Sequence, residues 1–164
     1  LQIDCSSFGI IEDWQIGSNV SMVPWDDGVA LVSQQVDGQG PSIYRWDEVE
    51  EAWQKRWESE EYLSSVRLSG DRLFYSSSSP DFSSYRLHCV DLETDEHQQS
   101  DDVQLFVTDL WLENSESGWF SAHWGWMDVD SSQPGLYQVD LQSCSISDYF
   151  EMEMAPYSMA FIPE

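Results

Sequence analysis

Residues 66–98, VRLSGDRLFYSSSSPDFSSYRLHCVDLETDEHQ, carry the pattern to which the rest of the chain aligns. They read as a strand, a Gly70-Asp71 turn, a second strand, a Ser/Pro loop, a third strand, an acidic turn and a fourth strand. In a strand, side chains alternate between the two faces, so Leu87, Cys89 and Asp91 share one face and His88 and Val90 the other. Asp91 ends the third strand because its carboxylate accepts bonds from nearby backbone amides in an Asx-type turn. His97, six residues on, then lies in the next antiparallel strand.

The same ending recurs. Ile43-Tyr44-Arg45-Trp46-Asp47 is followed by Trp53, and Leu136-Tyr137-Gln138-Val139-Asp140 by Ile146, each six residues past its Asp. A clipped copy, Leu1-Gln2-Ile3-Asp4 with Ile10, opens the sequence. The four aspartates are 43, 44 and 49 residues apart. Turn glycines at 28, 70 and 118 precede the last three by 19, 21 and 22 residues. Periods of this size with coupled markers belong to propellers and solenoids. The expected fold is therefore all-β, a β-propeller array with blades of four antiparallel strands. Its units are a partial blade at 1–18, blades at 19–56, 57–102 and 103–154, and a partial blade at 155–164.

Two closures fit those half-units. One is a four-bladed ring in which the last strand and residues 1–18 share a blade, leaving no open sheet edge. The other is a segment of a larger propeller, completed by further blades or by another chain. The second is favoured, because the shared blade has only about three strands and the sequence opens without Met. One run, Trp46 to Glu61, also places Val49, Trp53 and Trp57 at helical spacing, but it occupies the turn and fourth strand of a repeat.

Tyr44-x-x-Asp47-x5-Trp53 resembles the end of a kelch repeat. The Gly-Gly pair that ends the second strand of kelch repeats is replaced here by Val32-Ser33, Tyr75-Ser76 and His123-Trp124. The resemblance implies a non-catalytic module that binds a protein or peptide on its loop-bearing face.

With 31 acidic residues against six Lys and Arg, the net charge is −25. Such a chain repels phosphate backbones and anionic lipid surfaces, so nucleic acid and membrane are not expected partners. A solvated acidic surface is the plain explanation, salt adaptation a second, and a basic partner the functional one. No apolar run approaches the roughly 18 residues of a membrane span. Asn19-Val20-Ser21 is a glycosylation sequon, relevant only to a secreted protein. The odd cysteine count (Cys5, Cys89, Cys144) has no Cys-x-x-Cys spacing, and reduced, buried thiols are the simplest expectation, with one bridge plus one free thiol the alternative.

No nucleophile elbow, phosphate-binding glycine loop or zinc-protease motif occurs, and no cofactor or metal is expected. Ser76 to Ser79 reads as loop. Asp128-Val129-Asp130 has alternating oxygens but lacks the sixth-position glycine and closing Glu of a calcium loop. His88 and His97 fall on neighbouring strands, where a histidine standing in for a repeat aromatic is the plainer reading. Candidate binding residues are Trp124, Trp126 and His123 at the end of an aromatic strand, with Arg45 and Arg86 as carboxylate anchors. Packing between blades is the competing role for those tryptophans. A carbohydrate-binding propeller using exposed Trp, and one sector of a propeller enzyme, are the alternative functions.

Overall fold

The computed structural model describes residues 2–4, 9–12, 16, 18–26, 28–35, 40–79, 85–101, 103, 106–123 and 134–152. They form fourteen strands and no helix. A short pair, β1 (Gln2–Asp4) and β2 (Gly9–Glu12), comes first. The first four-stranded sheet comprises β3 (Ser18–Trp25), β4 (Gly28–Gln35), β5 (Ser42–Asp47) and β6 (Ala52–Glu58). The second comprises β7 (Tyr62–Ser69), β8 (Arg72–Ser78), β9 (Tyr85–Asp91) and β10 (Glu96–Gln99). The third comprises β11 (Phe106–Leu112), β12 (Ser117–His123), β13 (Gly135–Asp140) and β14 (Ser145–Glu151). Each is antiparallel with its strands in sequential order. The run at 46–61 is thus strand and turn, not helix. The strand expected at 157–162 lies outside the described residues.

The aspartate ending builds the same hairpin each time. Asp47, Asp91 and Asp140 pair with Ala52, Glu96 and Ser145 across a four-residue loop. One carboxylate oxygen of each accepts the amides two and three residues on, at 2.8–3.0 Å for Asp47, 3.0–3.1 Å for Asp91 and 2.8–3.0 Å for Asp140. These amide bonds hold the Asp91 and Asp140 carboxyls below the usual carboxylate range. The fourth loop residue (Glu51, Asp95 or Cys144) has a left-handed backbone, φ 50–58°. In the opening pair, Asp4 faces Gly9 and Ile3 faces Ile10, the same register a fourth time.

The sheets stack through alternating faces. Trp25, Ala30, Val32 and Ile43 of the first sheet meet Leu63, Val66, Leu68, Leu73, Tyr75 and Val90 of the second. The second sheet's other face, with Phe74, Leu87 and Cys89, meets Val107, Leu110, Phe120, Ala122 and Val139 of the third. The first strands β3, β7 and β11 run side by side. Polar bonds sew the first seam: Trp25 Nε1 donates to the Gly70 carbonyl at 2.7 Å and the Gly70 amide to Asp26 at 2.8 Å. Gly70 sits at φ +54°, where a side chain strains the turn. Gln34 bonds both backbone groups of Leu63 through its amide. The second seam has an Arg67–Asp109 ion pair and a covalent link: Cys89 and Cys144 form a disulfide, Cα atoms 5.6 Å apart. This corrects the expectation of reduced thiols. Cys89 faces the third sheet, and the left-handed end of that sheet's hairpin brings Cys144 to it, a juxtaposition that linear spacing does not reveal. Cys5 lies outside the described residues.

Candidate functional site

At the first seam, one face of the second sheet is polar towards its outer strands. Pairing places Tyr75 opposite His88, Ser77 opposite Arg86 and His88 opposite Gln99. The segment leaving β6, Ser59 to Glu61, runs past this face, with Ser59 Oγ bonded to the Glu61 carbonyl at 3.0 Å. Between them lies a pocket of about 410 Å³, lined by Trp57, Glu58, Glu60, Glu61, Tyr75, Arg86, His88 and His97 among others.

A chain of hydrogen bonds crosses its floor. Ser77 Oγ donates to Glu61, whose other oxygen takes the Arg86 guanidinium at 2.8 Å. Ser77 Oγ is 2.7 Å from His88 Nε2, and His88 Nδ1 is 2.9 Å from His97 Nε2. The carboxylate, which only accepts, sets the direction of every link. With its one proton given to Glu61, Ser77 must accept from His88 Nε2–H. A neutral His88 then accepts at Nδ1 from His97 Nε2–H, and the exposed His97 ring is left with a bare Nδ1. The His88 ring lies flat on Tyr75, centroids 4.3 Å apart and 1° from parallel, while Trp57 meets His97 edge-on at 5.2 Å. Ser77 is fully buried with both neighbours committed, and its carboxylate touches the serine rather than the far histidine nitrogen. That is a structural relay and not a nucleophile–base pair.

Burial, with His97 beside it, pushes His88 down to about 4 against the opposing pull of Glu61; burial also lowers His97 and raises the Tyr75 hydroxyl. An unfolded chain takes up the His88 proton as pH falls through about 6.5, the folded chain only near 4. The folded state therefore loses up to about 3 kcal/mol across that window. Urea unfolding at pH 7 and pH 4.5 should show the loss, and His88→Tyr, which restores the side chain of the other repeats, should reduce it. An equal loss in the variant would place the effect elsewhere.

No protein-family model matches this sequence, and no curated protein matches it. Among solved structures it is similar to the β-propeller domain of the Trilobed protease from Pyrococcus furiosus, described as having an open velcro topology, with a TM-score of 0.57. The fold is a β-propeller. Identity is 18%, over 81% of this chain and 43% of that one, so the chain spans less than half the length of the propeller it matches.

Propeller geometry accounts for His88. Leu31, Tyr75 and Phe120 pair with Tyr44, His88 and Tyr137, so His88 holds a repeat aromatic position. The Phe120–Tyr137 stack, 4.7 Å and 9°, is the third blade's version of Tyr75–His88. Of the residues singled out from the sequence, Arg86 lies in the pocket, bonded to Glu61. Arg45 lies apart from it, its guanidinium 4.5 Å over the Trp25 ring. Arg67 and Arg72 pair with Asp109 and Asp91. His123 ends β12 opposite Phe106, and Trp124, Trp126 and the Asp128–Asp130 turn lie outside the described residues. Trp119 is half-buried on the face opposite Phe120 and Ala122, as alternation requires. Ser76 to Ser78 belong to β8 and are buried, not loop. Reading them as loop hid Ser77 and, with it, Glu61; period-2 alternation from Leu73 through Tyr75 to Ser77 is the signal that finds them.

Proposed function

We propose that this chain is a non-catalytic propeller module that binds a protein or peptide, that it works within a larger assembly, and that the pocket at the first blade seam receives a basic side chain of the partner. The observation that carries this reading is the pocket's one-sided chemistry. Its lining brings together the carboxylates of Glu58, Glu60 and Glu61 with the rings of Trp57, Tyr75 and His97. The cations beside it are already committed, Arg86 to Glu61 and Lys55 to Glu58, which leaves Glu60 as the carboxylate facing a partner. A guanidinium or ammonium on a long apolar stem satisfies such a recess, and a net charge of −25 draws basic partners. Kelch-like binding is the fold-level analogy in the same direction, carried by Tyr44, Asp47 and Trp53.

Fluorescence anisotropy with three labelled peptides of equal length, acidic, neutral and Arg/Lys-containing, tests it. Only the basic peptide should saturate, more weakly in high salt. Glu60→Gln, at an exposed position, should weaken it about fivefold or more without moving the melting temperature. Indifference to Glu60→Gln, or retention of a neutral oligosaccharide instead, would overturn the reading.

A further inference from the structure

The hydrogen-bond relay of the pocket has a closed end and an open end. At the closed end Glu61 holds both the Ser77 proton and the Arg86 guanidinium. His88 comes next, buried, with Nε2 taken by Ser77 and Nδ1 by His97. His97 gives only Nε2 to the relay, and its ring is exposed on β10, the outer strand of the second sheet. A proton from solution therefore enters at His97 Nδ1, where it breaks no hydrogen bond: the imidazolium still donates Nε2–H to His88. At His88 the same proton would have to displace the His97 donor.

His97 shares the pocket with ionisable groups from every element packed around it. β6 and the link after it bring Glu58, Glu60 and Glu61, β8 brings the Tyr75 hydroxyl, and β9 brings Arg86 and His88. β10 adds no other charge on that face, since alternation turns Glu96 away. Glu58 and Glu61 are held by Lys55 and Arg86, and Tyr75 stays neutral because burial pushes its hydroxyl up. With His97 neutral, Arg86 is the one cation among the lining residues. As an imidazolium, His97 becomes a second, set against the single uncommitted carboxylate of Glu60.

We infer, on the reading of the pocket as a seat for a basic side chain, that His97 gates it by pH: neutral His97 admits the partner's cation and protonated His97 expels it. Like charges drawn into one recess disfavour each other, so each cation weakens the hold on the other. The coupling is reciprocal, and a bound guanidinium or ammonium makes His97 harder to protonate by the same factor. Burial already holds His97 below the usual histidine range, which puts release on the acid side of neutrality. The partner is kept at neutral pH and dropped in mildly acidic surroundings.

The probe is the labelled Arg/Lys-containing peptide, titrated by anisotropy into the full chain at pH 7 and pH 5 at one ionic strength. The parent is compared with His97→Gln, which keeps an N–H for His88 Nδ1 and takes up no proton. His88, at about 4, is still neutral at pH 5. Parent affinity should fall about fivefold or more between the two pH values. The fall in His97→Gln should be about twofold or less, reporting carboxylate titration alone. In the parent, the NMR titration of the His97 ring should move to lower pH when the peptide is bound. Equal parent affinity at both pH values, an equal fall in His97→Gln, or a ring titration that the peptide does not move overturns the gate and leaves the pocket reading standing. No saturable binding at pH 7, or binding there that Glu60→Gln does not weaken, overturns the pocket reading and the gate with it.

Discussion

Replacing Cys89 and Cys144 together by Ala is expected to lower the melting temperature by roughly 10 °C. The bridge closes a loop of 55 residues, and cross-linking a loop of that size stabilises by about 4 kcal/mol in the chain-entropy account. For a chain of this length each kcal/mol moves the melting temperature by roughly 2–4 °C. Both cysteines are almost without exposure and belong to the apolar seam between the second and third blades, so lost packing adds to the lost cross-link. Melting curves with and without reductant should separate the two contributions. Reductant acts on the parent once opening exposes the sulfurs, and it leaves the double Ala variant unmoved. A parent that melts at the same temperature as the double variant under non-reducing conditions would show that the bridge contributes nothing.

The other large effect is expected at Trp25. Its ring is 1% exposed, packs into the first seam, carries Arg45 over one face and donates Nε1–H to the Gly70 carbonyl. Trp25→Ala removes all three and leaves a void, at a cost of about 4 kcal/mol. Trp25→Phe keeps most of the packing and loses the donor, costing about 1–2 kcal/mol with a buried carbonyl left short of its partner. Chemical denaturation of the two variants measures the gap. If Phe proves as damaging as Ala, the hydrogen bond rather than the packing dominates the seam.

The strands were legible because their markers are local. Asp47, Asp91 and Asp140 cap hairpins through bonds to amides two and three residues away, and that geometry is written in the spacing. The same holds for Tyr44, His88 and Tyr137, whose place three residues before the Asp fixes their face and register. What stayed hidden needed two distant strands at once. Cys144 meets Cys89 only when two sheets stack, and Glu61 meets Ser77 only when the link between the blades folds back across the second. Arg45 and Arg86 looked like free anchors because sequence shows a charge but not its neighbour. One lies over Trp25, the other against Glu61. The exposure of Met22 was invisible for a related reason: alternation says that Met22 is a core position, and only the stacked array shows its side chain 72% exposed.

The two seams differ in kind. The third blade is stitched to the second by a covalent bond, whereas the first is held by side-chain packing and a few hydrogen bonds from Trp25, Asp26 and Gln34. In a stack where each blade touches only its neighbours, resistance to unravelling is set seam by seam. Heat, denaturant or a pulling force should therefore part the first blade from the second before the second from the third, leaving the second and third as a residual pair. That order makes one seam soft and the other hard, and the soft seam is the one that carries the acidic pocket.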